Sequence, residues 1–185
     1  EAVQAARAPA PELAAALADE LDGRARDALF YFGPSPVDVL GALAPRARRV
    51  VGMHPTRAEV QRARASLHAR GLSHCALQQG EPANVPHGSG EFETAVIDRT
   101  LSRQARPGDV LREAARLLGG RRELIVVEDY DALTARARDT NPIATLKGWF
   151  ADAGLACARL RPLDLDGRHV LLAVAHVKTK AAAAA

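Results

Sequence analysis

The chain has 185 residues, a net charge of +3, 48% hydrophobic residues and 25% charged residues. This length and composition are those of a protein with one hydrophobic core, and they exclude an intrinsically disordered chain. The arginines alternate with acidic residues instead of forming a stripe, so direct binding of nucleic acid is not predicted.

The two ends of the chain differ in composition from its middle. Residues 1–22 comprise an Ala/Pro-rich lead and a helix that Gly23 ends, residues 23–178 hold the other predicted elements, and residues 179–185 form a short tail. The chain starts at Glu1 and not at a methionine, which leads us to expect that an upstream segment has been removed.

Cysteine content and hydropathy indicate the compartment. Cys75 and Cys157 are far apart in sequence and belong to no pairing motif, so neither a disulfide framework nor a zinc ribbon is predicted. No apolar run approaches the ~20 residues of a membrane span, and no membrane partner is expected. A cytoplasmic protein is therefore predicted.

Strand and helix patterns alternate along the chain. Strand patterns are short runs rich in β-branched or aromatic residues, and helix patterns place apolar residues three or four positions apart. The predicted parallel strands are residues 28–32, 49–53, 75–79, 94–98 and 123–127. The predicted helices are residues 11–21, 37–44, 56–70, 109–118 and 142–153.

Local signals refine these elements. Thr56 and Glu59 have the spacing of a capping box, and Asn141 is predicted to cap the last helix. Residues 156–160 and 169–177 flank a turn-rich segment and are predicted to pair as an antiparallel hairpin. Parallel neighbours need helical crossovers, so the predicted fold is α/β, a mostly parallel, doubly wound sheet closed by that hairpin.

The local sequences occur in an order that matches a known family. The segments RVVG at 49–52, LIVVE at 124–128 and WFADAGL at 149–155 follow one another at suitable spacing. Together they resemble the class I S-adenosylmethionine-dependent methyltransferases, most closely their small-molecule branch, over about residues 29–177. The resemblance implies a Rossmann-like fold and S-adenosylmethionine as the cofactor of an active member.

The first turn departs from the pattern that this resemblance implies. In the family, the first strand ends in an acid and a GxGxG turn, where backbone approaches the cofactor closely. The matching residues here are Tyr31, Gly33, Ser35 and Val37, and the two intervening residues are prolines. The prolines remove two N–H donors and the valine adds a side chain. A degenerate cofactor motif is therefore predicted.

Three further positions complete the candidate site. The family's ribose-binding acid is matched by His54, and a neutral imidazole accepts only one hydrogen bond. The acid that contacts adenine is matched by Glu81, and Asp98 follows the fourth strand, where many members place functional groups. Asp98 and Arg99 could equally form a surface ion pair. The predicted degenerate pocket comprises Tyr31, Gly33, Ser35, His54, Glu81 and Asp98, and no catalytic residue is assigned.

Two other groups of residues receive structural interpretations. Glu128, Asp129 and Asp131 have no histidine at ligand spacing, so a solvated acidic loop is favoured over a metal site. Met53, Trp149 and Phe150 are predicted to pack in or near the core.

Two functional hypotheses follow. The first is a methyltransferase-like domain with a degenerate site and no expected cofactor. It would serve as a non-catalytic structural, partner-binding or ligand-sensing module, one form of which is the effector part of a transcription regulator. A protein partner or an upstream domain is then expected. The alternative is an active S-adenosylmethionine-dependent methyltransferase that acts on a small molecule.

Overall fold

A computed structural model describes residues 10–21, 26–119, 122–137, 141–165 and 167–178 of the chain. The predicted stop at Gly23, the start of the lead and the tail at 179–185 lie outside these ranges. The division of the chain into lead, domain and tail therefore stays a prediction. Within the described residues, no helix is both long and apolar enough to cross a membrane.

Seven strands form one sheet in the order β3-β2-β1-β4-β5-β7-β6. The strands are β1 (Arg26–Phe32), β2 (Ala47–His54), β3 (Cys75–Gln79), β4 (Thr94–Asp98), β5 (Glu123–Asp129), β6 (Leu155–Leu165) and β7 (Arg168–Val177). The first five strands are parallel, while β7 pairs antiparallel with both β5 and β6. The predicted fold class, including the antiparallel hairpin at the end, is confirmed.

Helices cover both faces of the sheet. They are α1 (Ala10–Glu20), α2 (Pro36–Leu43), α3 (Arg57–Ala69), α4 (Pro107–Leu118), α5 (Tyr130–Ala137) and α6 (Pro142–Asp152). Apolar residues of α1, α2 and α3 form one core cluster with the sheet, and those of α4, α5 and α6 form the other. Met53 and Phe150 are buried and Trp149 is partly buried against the core, which confirms their predicted packing role.

The structure departs from the sequence predictions in the last third of the chain. The helix α5 was not predicted, because its buried face consists of only Leu133 and Ala137 and gives a weak periodic signal. The strand β6 continues beyond the predicted residue 160 to Leu165. Pro162 favours an earlier end of the strand in the sequence, because proline has no backbone N–H to donate to a neighbouring strand. In the structure β6 is an edge strand, so a proline can be accommodated on its open side.

The two predicted helix caps have different outcomes. Asn141 accepts hydrogen bonds from the backbone N–H groups of Ile143 and Ala144, as predicted. Thr56 stands at the N-cap position of α3 but makes no side-chain capping bond, so the predicted capping box is wrong. Its backbone N–H instead donates to Nδ1 of His54 at 3.1 Å.

Candidate ligand site at the carboxyl end of the sheet

A cleft of about 160 Å³ opens at the carboxyl ends of β1, β2 and β4. Ligands of doubly wound proteins bind at this edge, where the strand order reverses between β1 and β4. The walls come from the segments that follow these strands and from the 3-10 helix Leu101–Arg103. They are formed by Phe32, Gly33, Pro34, His54, Pro55, Glu81, Arg99, Thr100, Arg103 and Gln104.

Tyr31 lies beneath the cleft and is fully buried. Its hydroxyl donates to Oδ2 of Asp98 at 2.9 Å and accepts from the backbone N–H of Ser35 at 3.3 Å. Burial, followed by the charge and hydrogen bond of Asp98, raises the pKa of Tyr31 well above its ordinary value. The phenol is therefore neutral at physiological pH, and it joins the turn after β1 to the end of β4.

Gly33 has no space for a side chain. A Cβ atom there would lie 2.5 Å from the Tyr31 hydroxyl oxygen and 2.7 Å from Cβ of Asp98. Such distances are below van der Waals contact, so the Tyr31 and Asp98 side chains fill the space that faces this glycine. The glycine is thus needed for the protein's own packing.

Arg99 lines the cleft and pairs with Asp98. Its Nε donates to Oδ1 of Asp98 at 2.8 Å and its Nη2 donates to Oδ2 at 2.9 Å, a bidentate pair in which both side chains are almost fully buried. The Nη2 group also approaches Oγ of Ser35 at 3.4 Å. Burial lowers the pKa of Arg99, but the hydrogen bonds and charge of Asp98 outweigh it and raise the pKa overall. The surface pair considered from the sequence is therefore a buried one.

Glu128 fixes the loop that carries Arg99. Its carboxylate accepts hydrogen bonds from the backbone N–H groups of residues 100, 101 and 102 and from the Ser102 hydroxyl. Burial raises the pKa of Glu128, and these hydrogen bonds oppose that increase. Glu128 is fully buried, so the prediction that it belongs to a solvated loop is wrong. Its burial could have been anticipated from the four-residue apolar run, residues 124–127, that precedes it.

His54 and Glu81 line the same cleft. Nδ1 of His54 accepts from the backbone N–H of Thr56, so the remaining ring nitrogen of a neutral imidazole carries the proton and can only donate. Glu81 also lines the cleft and is exposed. The cleft thus contains Gly33, His54 and Glu81 of the predicted set, whereas Tyr31, Ser35 and Asp98 do not line it.

Arg103 and Gln104 line the cleft at the end of the 3-10 helix after β4, and neither was predicted as a site residue. In the described ranges, no three His, Cys, Asp or Glu side chains are placed to share an ion.

Comparison with known proteins identifies the family. The model of the family described as "Methyltransferase domain" matches residues 31–125, which is just over half of the chain. The chain belongs to the methyltransferase domain family. An uncharacterised 37.1 kDa protein of transposon TN4556 from Streptomyces fradiae is 33% identical over 122 residues, which make up 63% of this chain and 34% of that protein. The chain therefore spans about a third of the length of this curated relative.

Solved structures share the fold at low sequence identity. The YcgJ protein of Bacillus subtilis has a TM-score of 0.76 at 14% identity, with 91% of this chain and 99% of that chain covered. An S-adenosylmethionine-dependent methyltransferase from Aquifex aeolicus has a TM-score of 0.72 at 14% identity, with 89% of each chain covered. The [4+2]-cyclase SpnF has a TM-score of 0.77 at 13% identity, with 92% of this chain and 82% of that chain covered. The methyltransferase domain fold is therefore shared with proteins of more than one named activity.

Several features at this edge of the methyltransferase domain differ from those that the family resemblance implies for S-adenosylmethionine binding. The cleft of about 160 Å³ is smaller than the ~300 Å³ at which pockets for drug-sized ligands begin. The Tyr31 and Asp98 side chains fill the space next to Gly33, and Arg99 donates two hydrogen bonds to Asp98. The acceptor nitrogen of His54 is already used by the chain's own backbone.

Proposed function

We propose that this methyltransferase domain is a non-catalytic, ligand-sensing module. The observation that carries the proposal is the buried hydrogen-bonded arrangement of Tyr31, Asp98 and Arg99 next to the turn after β1, where the family resemblance implies close contact between backbone and cofactor. A small cleft remains above them, which supports a sensing role over a purely structural one. Identification as the effector part of a transcription regulator, with a protein partner or an upstream domain, stays a prediction.

The energetics of the missing contacts support this proposal. Ribose hydroxyls left unpaired in a buried site cost on the order of 1–3 kcal/mol each, and His54 cannot accept from them. Moving Arg99 out of the cleft would additionally leave Asp98 buried without its cationic partner, which costs several kcal/mol. Each 1.4 kcal/mol is about tenfold in affinity, so we expect no S-adenosylmethionine binding at physiological concentrations.

A calorimetric titration with S-adenosylmethionine and S-adenosylhomocysteine tests this proposal directly. The unaltered protein should give no binding heat at micromolar concentrations of either compound. Substitution of Ser35 and Val37 by Gly and of His54 by Asp restores three positions of the family's motif but leaves Tyr31 and Arg99 in place, so it should gain little affinity. Adding Arg99→Gly to these three changes should give measurable binding. Micromolar binding by the unaltered protein would contradict the proposal.

An active methyltransferase that acts on a small molecule is the second candidate. It is favoured by the cleft itself, which lies at the carboxyl ends of β1, β2 and β4 and has the Glu81 carboxylate on one wall. This candidate requires a conformation in which Arg99 has left the cleft, because the cofactor and the guanidinium compete for the same space. Release of S-adenosylhomocysteine when the protein is incubated with S-adenosylmethionine and small nucleophiles would establish the methyltransferase activity.

A further inference from the structure

The guanidinium of Arg99 has one nitrogen that its pair with Asp98 does not use. Nε and Nη2 donate to the two carboxylate oxygens of Asp98, and Nη2 also approaches Oγ of Ser35. Nη1 makes no hydrogen bond with the part of the chain that the structure describes, and it is not one of the buried unpaired atoms there. Because a guanidinium is a planar fork of N–H donors, Nη1 lies away from Asp98 and is free to donate into the cleft that Arg99 lines.

The backbone around Arg99 holds the side chain in this orientation. Among the described non-glycine residues, Arg99 alone has a positive φ, at 46°, a conformation that concentrates at binding sites. Its backbone N–H donates to the carbonyl of Val127 at 2.6 Å, and the Glu128 carboxylate accepts from the next three backbone N–H groups. The Arg99 side chain, which is 3% exposed, is therefore positioned before a ligand arrives, and this lowers the cost of binding.

Other side chains add N–H donors to the same cleft. His54 is half-buried, and because its Nδ1 accepts from the backbone, a neutral ring has only a donor left at Nε2. Arg103 is exposed and has no carboxylate partner in the described ranges. Both residues line the cleft of about 160 Å³ together with Arg99, so one small group inside it can meet more than one donor.

The charge around the cleft is positive on balance, since the buried ion pair is neutral as a whole. Arg136 donates to the backbone carbonyls of residues 104 and 105, which places its guanidinium beside the cleft, and no described carboxylate pairs with it. The charges of Arg103 and Arg136 are opposed by one carboxylate in the cleft lining, that of Glu81. Glu81 is exposed, so water and salt screen its repulsion of an anion.

We propose that the cleft is a receptor for the oxyanion group of a small molecule, a carboxylate or a phosphate, bound by Arg99 Nη1, the Arg103 guanidinium and the Nε2–H of His54. The proposal rests on the ligand-sensing function proposed above and names its ligand class. Planar guanidinium groups suit both kinds of oxyanion, because their N–H donors match the spacing of the oxygens. Asp98 is then a positioning residue, which orients Arg99 and does not contact the ligand.

Methyl phosphate and acetate are the probes for the two sources of the oxyanion. Binding is followed at constant ionic strength through the NMR signal of the Arg99 Nε–H, whose exchange is slowed by its hydrogen bond to Asp98. The unaltered protein should give a saturable shift with at least one probe, and the probe that binds more tightly identifies the source. Tetramethylammonium, a compact cation, should give none. If neither anion produces a saturable shift, or if the cation does, the receptor proposal is wrong.

The Arg103→Gln substitution tests the exposed donor. It removes a charged hydrogen bond to the ligand, so the affinity for the probe should fall by about tenfold. Arg48→Gln is the matched control with the same change in charge, because Arg48 is exposed near the start of β2, at the opposite end of the sheet. The control should keep the unaltered affinity. Equal weakening in the two variants would indicate a general effect of net charge and would overturn the assignment.

Two further variants test the sign of the charge and the buried donor. Glu81→Gln removes the opposing carboxylate and should strengthen anion binding by about two- to fivefold, whereas weaker binding would contradict an anionic ligand. Arg99→Lys keeps a cation for Asp98 but has no second nitrogen for the ligand, so the affinity, followed through the His54 ring signals, should fall at least about tenfold.

Circular dichroism shows whether Arg99→Lys folds, and if it does not, the Arg103→Gln and Glu81→Gln variants decide the outcome, since both residues are exposed. None of these titrations contains S-adenosylmethionine. Binding of that cofactor would contradict the proposed function, while failure of the anion titrations would contradict only this inference.

Discussion

The Asp98–Arg99 pair and the Glu91–Arg49 pair join the same chemical groups at the same closest distance of 2.8 Å, but their surroundings differ. The Asp98 and Arg99 side chains are 0% and 3% exposed, whereas those of Glu91 and Arg49 are 29% and 44% exposed. Arg99 of the first pair lines a cleft at the carboxyl end of the sheet. The second holds the connection between β3 and β4 against the sheet.

The surrounding contacts show how each pair is used. Glu91 also accepts from the backbone N–H of Gly88 and contacts Nδ1 of His87, so one exposed carboxylate organises its own loop. Arg49 stacks over Phe92, with the guanidinium carbon 5.2 Å from the ring centroid. Asp98 instead joins the end of β4 to β1 and the turn after it, directly through Tyr31 and indirectly through Ser35, and it also pairs with its neighbour Arg99. Burial, rather than distance, should therefore determine how much each pair contributes.

The largest expected effect is that of Asp98→Ala. The substitution leaves the Arg99 guanidinium buried without its partner, and removal of one member of a buried pair costs about 3–5 kcal/mol. Urea denaturation monitored by circular dichroism measures the free energy of unfolding. The matched control is Asp109→Ala, since Asp109 pairs with Arg106 and Arg112 on an exposed helix surface and should contribute about 1 kcal/mol or less. Similar losses in the two variants would contradict the importance of burial.

Tyr31→Phe should have an intermediate effect. It preserves the ring in the core but removes one donor to Asp98 and the acceptor for the Ser35 backbone N–H. The unsatisfied groups that remain should lower the free energy of unfolding by about 1–3 kcal/mol. Tyr130→Phe is the control, because Tyr130 is exposed and its change should stay within about 0.5 kcal/mol. If both substitutions are neutral, the hydroxyl of Tyr31 does not contribute to the closed cleft.

The sequence was sufficient for the fold because the pattern of each parallel strand and its following helix is local. Residues 94–98 and 123–127, for example, are buried runs whose position in the sheet follows from the alternation of elements. The helix α5 could not be predicted, since it starts directly after β5 and buries little apolar surface. Its stability depends on packing against elements that are distant in sequence.

The candidate site could be predicted in position but not in arrangement. The strand ends place Gly33, His54 and Glu81 around one cleft, as the sequence indicated. The orientation of Arg99 depends on a positive φ and on the hydrogen bonds from Glu128 that shape the following loop. Glu128 lies about 30 residues downstream of this loop. No pattern within the sequence around Arg99 could reveal that contact.

Glu91→Gln should have the smallest effect, and its dependence on pH gives the sharpest test of the second pair. Burial opposes ionisation of Glu91, but the hydrogen bonds from Arg49, Gly88 and His87 outweigh it and lower the pKa of Glu91 from 4.5 to about 2. Because the folded-state pKa is the lower one, the stabilisation is fully present above about pH 4.5 and is lost as the pH falls toward 2.

The free energies of unfolding of the unaltered and Glu91→Gln proteins should therefore differ by about 1 kcal/mol or less at neutral pH, as for an exposed pair. The difference should shrink as the pH falls from 4.5 toward 2. The charges that face Glu91 are those of Arg49, His87 and Arg116, and an imidazole also changes its charge in acid. The comparison is therefore repeated in a His87→Gln background, where the same decrease should remain. A difference that stays constant down to pH 2.5 would show that the carboxylate charge of Glu91 does not stabilise this loop.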